Sequence, residues 1–514
     1  MQQGAKPLLA RVWSGAIVGI DALQVGVEVD ISGGLPTITL VGLPDTAVSE
    51  SRERVKAALK NAGYAFPMRK ITINLTPADV RKEGPSFDLP IAVGILAASE
   101  QVDPQLLGDY VFLGELSLDG SLRPVSGVLP MAVMAQRLGL SGIIVPEANA
   151  QEAALVKGLA VYGLRDLVAV GDFLANPSQY KPTVFDPHEA NAPDPHSLDL
   201  RDVKGQHQAR RALEIAAAGG HNLIFVGPPG SGKTLLARRL SSILPEMSFS
   251  EALEVTRIHS VAGLLKGRGL VKDRPFRSPH HSASGPALVG GGSFPRPGES
   301  SLATHGVLFL DELTEFKREV LEFLRQPLED GFVSISRTRQ SVTFPAQFTL
   351  VASTNPCQCG YYGDSVQACS CTPRQREQYW AKLSGPLMDR IDLQVTVSRL
   401  KPQEIVNSSI GESSGSVKER VQQARQIQRE RFTEERSLNC NAQMQSRHLR
   451  QWCELDDSSK TLLENAIRKL GLSARATDRI LKVSRTIADL GGVPKIQTAH
   501  VAEAVQYRTL DRMT

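Results

Sequence analysis

The chain has 514 residues, too many for one hydrophobic core, and its 41% apolar and 22% charged residues exclude a disordered or fibrous chain. A formal net charge of +4 and a pI near 8.7 permit an acidic partner such as nucleic acid without requiring one. Four of the six cysteines fall in one short window, which excludes the even spread of a disulfide framework. No run of about 18 apolar residues marks a membrane span, and the N-terminus lacks an apolar h-region with a cleavage site, so a cytoplasmic protein is expected.

Residues 1–172 alternate strand-like and helical runs. "VEVDISGG" and "KITINLTPADV" alternate with period two, as half-buried strands do. "VSESRERVKAALKNAGY" reads as a helix with a glycine after its end, and "SGIIVPEANAQEAALV" as strand, turn, helix. These runs predict a compact α/β domain. Residues 173–200 hold five prolines and little periodicity, as a linker does. Residues 201–400 then read as a second α/β domain with a parallel sheet. A charged helical connector is expected at 401–436, and residues 437–514 read as all-helical.

The second domain opens on "HNLIFVGPPGSGKTLLARRLSSIL". A strand, a glycine-rich loop and an apolar helix are the context that makes "GPPGSGKT" a phosphate-binding loop. Backbone N–H groups of Gly227, Pro228, Pro229, Gly230, Ser231, Gly232, Lys233 and Thr234, excepting the two prolines, would cradle phosphates at a helix N-terminus. Lys233 would reach the β- and γ-phosphates of ATP, and Thr234 would bind Mg²⁺. "GVLFLDE" supplies an apolar strand ending in two acids: Asp311 would hold the metal and Glu312 would polarise the attacking water. The strand "QFTLVAST" ends at Asn355, where a polar side chain can position the same water. These residues predict ATP hydrolysis.

The ordered set "RPFRSPHHSASGPALVGGG", "GVLFLDEL", "FTLVASTNPCQCG", "LMDRIDL" and "LSARATDRILKVSRTIADL" resembles the AAA+ ATPases, and within them the magnesium-chelatase-like ComM/YifB family. The resemblance covers nearly the whole chain. It implies an AAA+ P-loop core with an all-helical C-terminal lid, assembled as a homohexamer with ATP between subunits. It also implies that Asn355 is sensor 1, that Arg390 is an arginine finger acting in trans, and that Arg475, with Arg479 as the alternative, is sensor 2.

"NPCQCGYYGDSVQACSCTP" places Cys357, Cys359, Cys369 and Cys371 as two C-x-C pairs, within a loop over 355–373. Four thiolates so close can close a tetrahedral zinc site of structural type; the alternative is free thiols in a reducing compartment.

"KEGPSFDLPIAVGILAAS", "FLGELSLDGSLRPVSGVLP" and "LGLSGIIVPEAN" make the first domain resemble the Lon proteolytic domain and the related domain of RadA, with Ser86 at the nucleophile's place. A serine needs a base. The lysine that Lon places after its turn is matched here by Leu129, no lysine lies between Lys82 and Lys157, and Asp88 is an acid. The fold is expected without the protease chemistry, leaving Ser86 a turn or cap residue.

Three function classes compete. The family resemblance implies a DNA motor: branch migration and helicase activity on single-stranded and branched DNA during recombination of incoming DNA in natural transformation, alongside recombination proteins. An ATPase subunit of a metal chelatase and an ATP-dependent protease are the alternatives. The chelatase subunit is expected to lack a Lon/RadA-like domain. "GFVSISRTRQSVTF" alternates as a β-hairpin with Arg337 and Arg339 at its turn. In this group such a hairpin projects into the pore, where the two arginines would meet DNA phosphates. The run "KGRGLVKDRPFR", Lys266 to Arg277, is a second candidate for that contact.

Overall fold

The computed structural model describes residues 8–186, 198–265, 267–292, 295–336, 341–400, 411–435 and 438–508. The chain divides into two compact units, Met1–Ala192 with Phe249–Lys272, and Pro193–Ser248 with Asp273–Thr514.

The first unit is built on a seven-stranded mixed sheet. Its order is Thr37–Val41, Lys70–Thr76, Asp21–Ser32, Leu8–Val18, Tyr110–Phe112, Gly142–Pro146 and Ala160–Leu164. Leu8–Val18 and Asp21–Ser32 form a long antiparallel hairpin, turned at Gly19 with a positive φ of 67°. Period-two alternation places Val25, Val27 and Val29 on the buried face beside Ile71, Ile73 and Leu75. The helix Thr46–Asn61 starts where the Asp45 carboxylate accepts the Val48 N–H at 2.7 Å. The helix Asp88–Ala98 is buried at every residue, which is why its sequence has no polar face.

The sequence reading placed residues 249–272 inside the 201–400 domain, whereas in the structure they belong to the first unit. The helix Phe249–Val261 packs on the helix Val128–Arg137, and Leu253 and Leu270 join the cluster around Val128, Leu129 and Met131. The Ser260 hydroxyl donates to the Glu152 carboxylate, which also accepts the Leu129 N–H at 2.9 Å; burial pushes the Glu152 carboxyl up. The apolar face of the segment decides its place, and a local pattern does not reveal which core that face joins. The stretch read as a linker begins inside a helix, Leu167–Ala175, anchored by buried Phe173 and Leu174.

The second unit holds a five-stranded parallel sheet, ordered Phe276–Arg277, Val307–Leu310, Thr349–Thr354, Leu223–Val226, Leu393–Thr396. Its inner strands are continuous apolar runs because helices cover both faces. The helices Ser414–Arg431, Ser446–Trp452, Asp457–Leu470, Ala474–Leu490 and Thr498–Gln506 form the helical C-terminal region. Val421, Ile480 and Ile487 share one core cluster with Leu223, Phe225 and Leu393. Among the described residues, no helix is long and apolar enough to cross a membrane.

Candidate active site

The strand Leu223–Val226 delivers the loop, and the helix Lys233–Ile243 leaves it. Gly227 is required by close approach: a Cβ there would stand 2.1 Å from the Val397 carbonyl oxygen. Gly230 and Gly232 take positive φ of 77° and 91°. The helix has no side-chain cap, so its first N–H groups are left for an anion. Lys233 folds back over the loop, its Nζ donating to the carbonyls of Gly227 at 2.7 Å and Pro228 at 3.0 Å and to Asn355 Oδ1 at 3.2 Å. Burial lowers its pKa against the pull of Asp311 and Glu312.

The ends of the three strands lie together. The Thr234 hydroxyl donates to Asp311 Oδ2 at 2.7 Å, and Ser353 donates to the other carboxylate oxygen. Hydroxyl and carboxylate oxygens are the hard donors that suit Mg²⁺, so this pair fits the ion that accompanies ATP. Glu312 takes a left-handed φ of 52°, uncommon for a side chain with a Cβ. Its carboxylate lies 3.4 Å from His281 Nδ1 and is 59% exposed, turned toward the open side of the site. His281 and Ser353 were missed in the sequence. Ser353, one turn of alternation before Asn355, could have been found by asking what fixes the Asp311 carboxylate; the doublet "HH" was the only signal for His281.

The arginines divide. Arg390 is buried, with one nitrogen paired to Glu329 and another donating to the Pro386 carbonyl at 2.6 Å. Both terminal nitrogens are thus engaged, while its buried Nε has no hydrogen-bond partner among the described residues. Arg479 is bound to Asp392 and to the Arg390 carbonyl, where it ties the helix Ala474–Leu490 to the sheet. Arg475 is exposed and makes no hydrogen bond or ion pair among the described residues. The structure therefore separates two arginines that the sequence left as alternatives. Arg479 pairs with Asp392, whereas Arg475 is exposed.

Cys357, Cys359, Cys369 and Cys371 come together with all four Sγ atoms within 4.8 Å of one another. The strands Phe332–Ser336 and Ser341–Pro345 pair antiparallel, Val333 opposite Phe344 and Ile335 opposite Val342. Arg337 and Arg339 lie outside the described residues, as does Lys266 of the second basic run. Within that run Arg277 is engaged by Glu299 at 2.6 Å.

In the first unit, Ser86 sits in the turn Pro85–Phe87 and caps no helix. Its hydroxyl makes no hydrogen bond among the described residues. Leu129 is fully buried. Asp88 is held by Ser51, by the Leu116 N–H at 3.2 Å and by Arg54 at 2.7 Å, and the Lys82 ammonium is tied to the Pro77 carbonyl. Among the described residues no base is hydrogen-bonded to the serine.

Three family models match the chain. "Magnesium chelatase, subunit ChlI" matches residues 199–405, "Subunit ChlI of Mg-chelatase" residues 27–149, and "Magnesium chelatase, subunit ChlI C-terminal" residues 411–508. The competence protein ComM of Haemophilus influenzae is 48% identical over 509 residues, covering 98% of each chain. The protein YifB of Escherichia coli K12 is 46% identical over 514 residues, again covering 98% of each. A Lon protease of Mycolicibacterium smegmatis is 26% identical over 168 residues, 31% of this chain and 21% of its own. At these identities and coverages, the chain belongs to the ComM/YifB family of magnesium-chelatase-like AAA+ proteins.

Proposed function

We propose that this chain is an ATP-driven DNA motor, a homohexameric AAA+ helicase that migrates branched DNA during recombination of incoming DNA in natural transformation. The observation that carries the reading is full-length similarity to the competence protein ComM, joined to a P-loop site whose parts meet in space. The hairpin supports it, because it lies in the chain between the Asp311 strand and the Asn355 strand and its sequence carries Arg337 and Arg339 between its two arms.

ATP with Mg²⁺ supplies the charged phosphates and their electrophilic phosphorus. Lys233 would exchange its carbonyl partners for the β- and γ-oxygens, Thr234 and Asp311 would hold the ion, and Glu312 would act as base toward a water. Asn355, which accepts from the same lysine, would help position that water. Arg475 completes the charge from the lid. Arg390 reaches the neighbouring subunit's nucleotide once its pair with Glu329 opens on assembly. Mixing Arg390→Ala with Lys233→Ala chains tests this: mixed rings should regain ATPase activity that each variant lacks, and a mixture as inactive as its parents contradicts the trans role.

DNA is tested by replacing Arg337 and Arg339 with alanine. Affinity for DNA should weaken alike across sequences, and the salt slope should fall by about two phosphate contacts. DNA-stimulated ATPase should drop while basal ATPase persists. Unchanged DNA affinity and unwinding would move the contact to the Lys266 to Arg277 run.

The family models carry the chelatase's name, including over residues 27–149, so the first unit does not by itself separate the two readings. A chelatase role requires magnesium insertion into a porphyrin stimulated by this chain. A protease role requires ATP-dependent casein cleavage lost in Ser86→Ala.

A further inference from the structure

The four-cysteine loop joins the nucleotide site directly, and that placement carries a consequence the ATPase reading alone does not. Four ligands at about 2.3 Å from one zinc ion stand roughly 3.8 Å apart. Here Cys357 Sγ lies 3.4 Å from Cys359 Sγ and 3.7 Å from Cys369 Sγ, and Cys359 and Cys369 are 3.6 Å apart. None is within disulfide bonding distance, and all six cysteines of the chain are free. A cluster this tight surrounds a single ion rather than a cage of several. Backbone N–H groups already point at the sulfurs: Cys359 N–H at Cys371 Sγ, 3.3 Å, and Cys371 N–H at Cys369 Sγ, 3.4 Å. Such donors stabilise thiolates that share a cation.

The loop is also bound to both ends of the phosphate site. Its first cysteine stands two residues after Asn355, and its Gly360 lies close on the P-loop: a Cβ there would stand 2.9 Å from Pro229 Cδ and 4.0 Å from Asn355 Cγ. Arg399 donates to the Pro229 carbonyl at 3.3 Å, pairs with Asp364 of the loop at 3.6 Å and lies over the Tyr361 ring at 5.5 Å. Trp380 donates to the Pro356 carbonyl at 3.1 Å. With little regular structure of its own, the loop depends on the sulfurs for its shape.

We propose that Cys357, Cys359, Cys369 and Cys371 bind one zinc ion, and that the metal-closed loop is the brace that holds Pro229 and Asn355 against the nucleotide's phosphates. Metal loading then sets nucleotide affinity. The brace rests on the nucleotide-site reading above; the metal site does not.

Full-length protein purified without chelator should carry about one zinc per chain. The Cys369→Ser, Cys371→Ser variant should lose the metal and bind a fluorescent ATP analogue about tenfold more weakly, the loss of one charged hydrogen bond's positioning. Should that variant fail to fold, zinc is stripped from the folded wild type with a thiol-reactive mercurial, the mercurial is removed with excess thiol, and zinc is restored; affinity should fall and return. Zinc below roughly a few tenths per chain in protein that binds the analogue overturns the metal site. Zinc at full occupancy, with affinity unmoved by its removal, overturns the brace. Zinc-loaded wild type that binds no nucleotide overturns the ATPase reading and the brace with it, while leaving the metal site standing.

Discussion

Replacing Lys233 with alanine is expected to abolish ATP binding, while replacing Glu312 with glutamine leaves binding intact and slows hydrolysis by about a hundredfold or more. The two residues sit in one site but act at different stages. Lys233 is partly buried and its hydrogen bonds go only to neutral acceptors, two carbonyls and the Asn355 amide, with Asp311 and Glu312 acting on its charge from farther off, so its ammonium is available to phosphate. Removing it leaves the ground state of bound nucleotide without its nearest cation. The Glu312 carboxylate faces His281 at 3.4 Å and is 59% exposed. Glutamine keeps that shape and removes the charge that polarises water, so only the barrier rises. Titration with a fluorescent nucleotide and a phosphate-release assay separate the two effects. Hydrolysis by Glu312→Gln at the parent rate would remove that acid from the mechanism.

The second large effect is on stability. Asp392 is 2% exposed, and its carboxylate takes Arg479 on one oxygen and His221 at 3.3 Å and the Asn222 N–H at 3.1 Å on the other. His221 continues to Thr486 at 2.7 Å, so one carboxylate joins the sheet to the helix Ala474–Leu490 twice. Asp392→Ala removes the acceptor shared by Arg479, the buried His221 and the Asn222 N–H, and should cost about 3–5 kcal/mol. Burial alone would raise the Asp392 carboxyl; Arg479 and His221 overcome it and hold it well below the usual carboxylate range. Burial pushes His221 below its ordinary 6.5, more than Asp392 restores. Both folded values are depressed, so both contributions are present at neutral pH and are lost on acidification. For His221 the loss starts as pH falls below about 6.5, where the unfolded chain takes a proton that the folded one refuses. Thermal unfolding between pH 7.5 and 5.5 should show the wild type losing stability. An Asp392→Ala variant that melts with the wild type would show the network to be dispensable.

The sequence revealed most where chemistry is contiguous. The strand, loop and helix around Lys233 occupy one stretch, and Asp311 and Asn355 each end an apolar run, so the three strand tips were readable before their meeting was seen. The hairpin was readable because Val333, Ile335, Val342 and Phe344 alternate. What escaped depends on which segments become neighbours. His281 reaches Glu312 only because Phe276–Arg277 is the edge strand beside Val307–Leu310. That Arg479 and not Arg475 pairs with Asp392 is a contact across 87 residues, which local spacing does not reveal. The helix Phe249–Val261 was assigned to the wrong core because an amphipathic face does not name its partner. Leu129 shows the converse: the missing base was visible as a single apolar residue, and the structure adds that its side chain is buried.

The most direct test of the motor reading is strand displacement on labelled three- and four-way branched DNA, with wild-type protein and Glu312→Gln side by side. ATP should drive the wild type to resolve the branched substrates and DNA should raise its ATP turnover, while Glu312→Gln binds the same DNA and leaves it intact. Wild-type protein that hydrolyses ATP at a rate DNA does not change, and that displaces no strand from any branched substrate, would contradict the account.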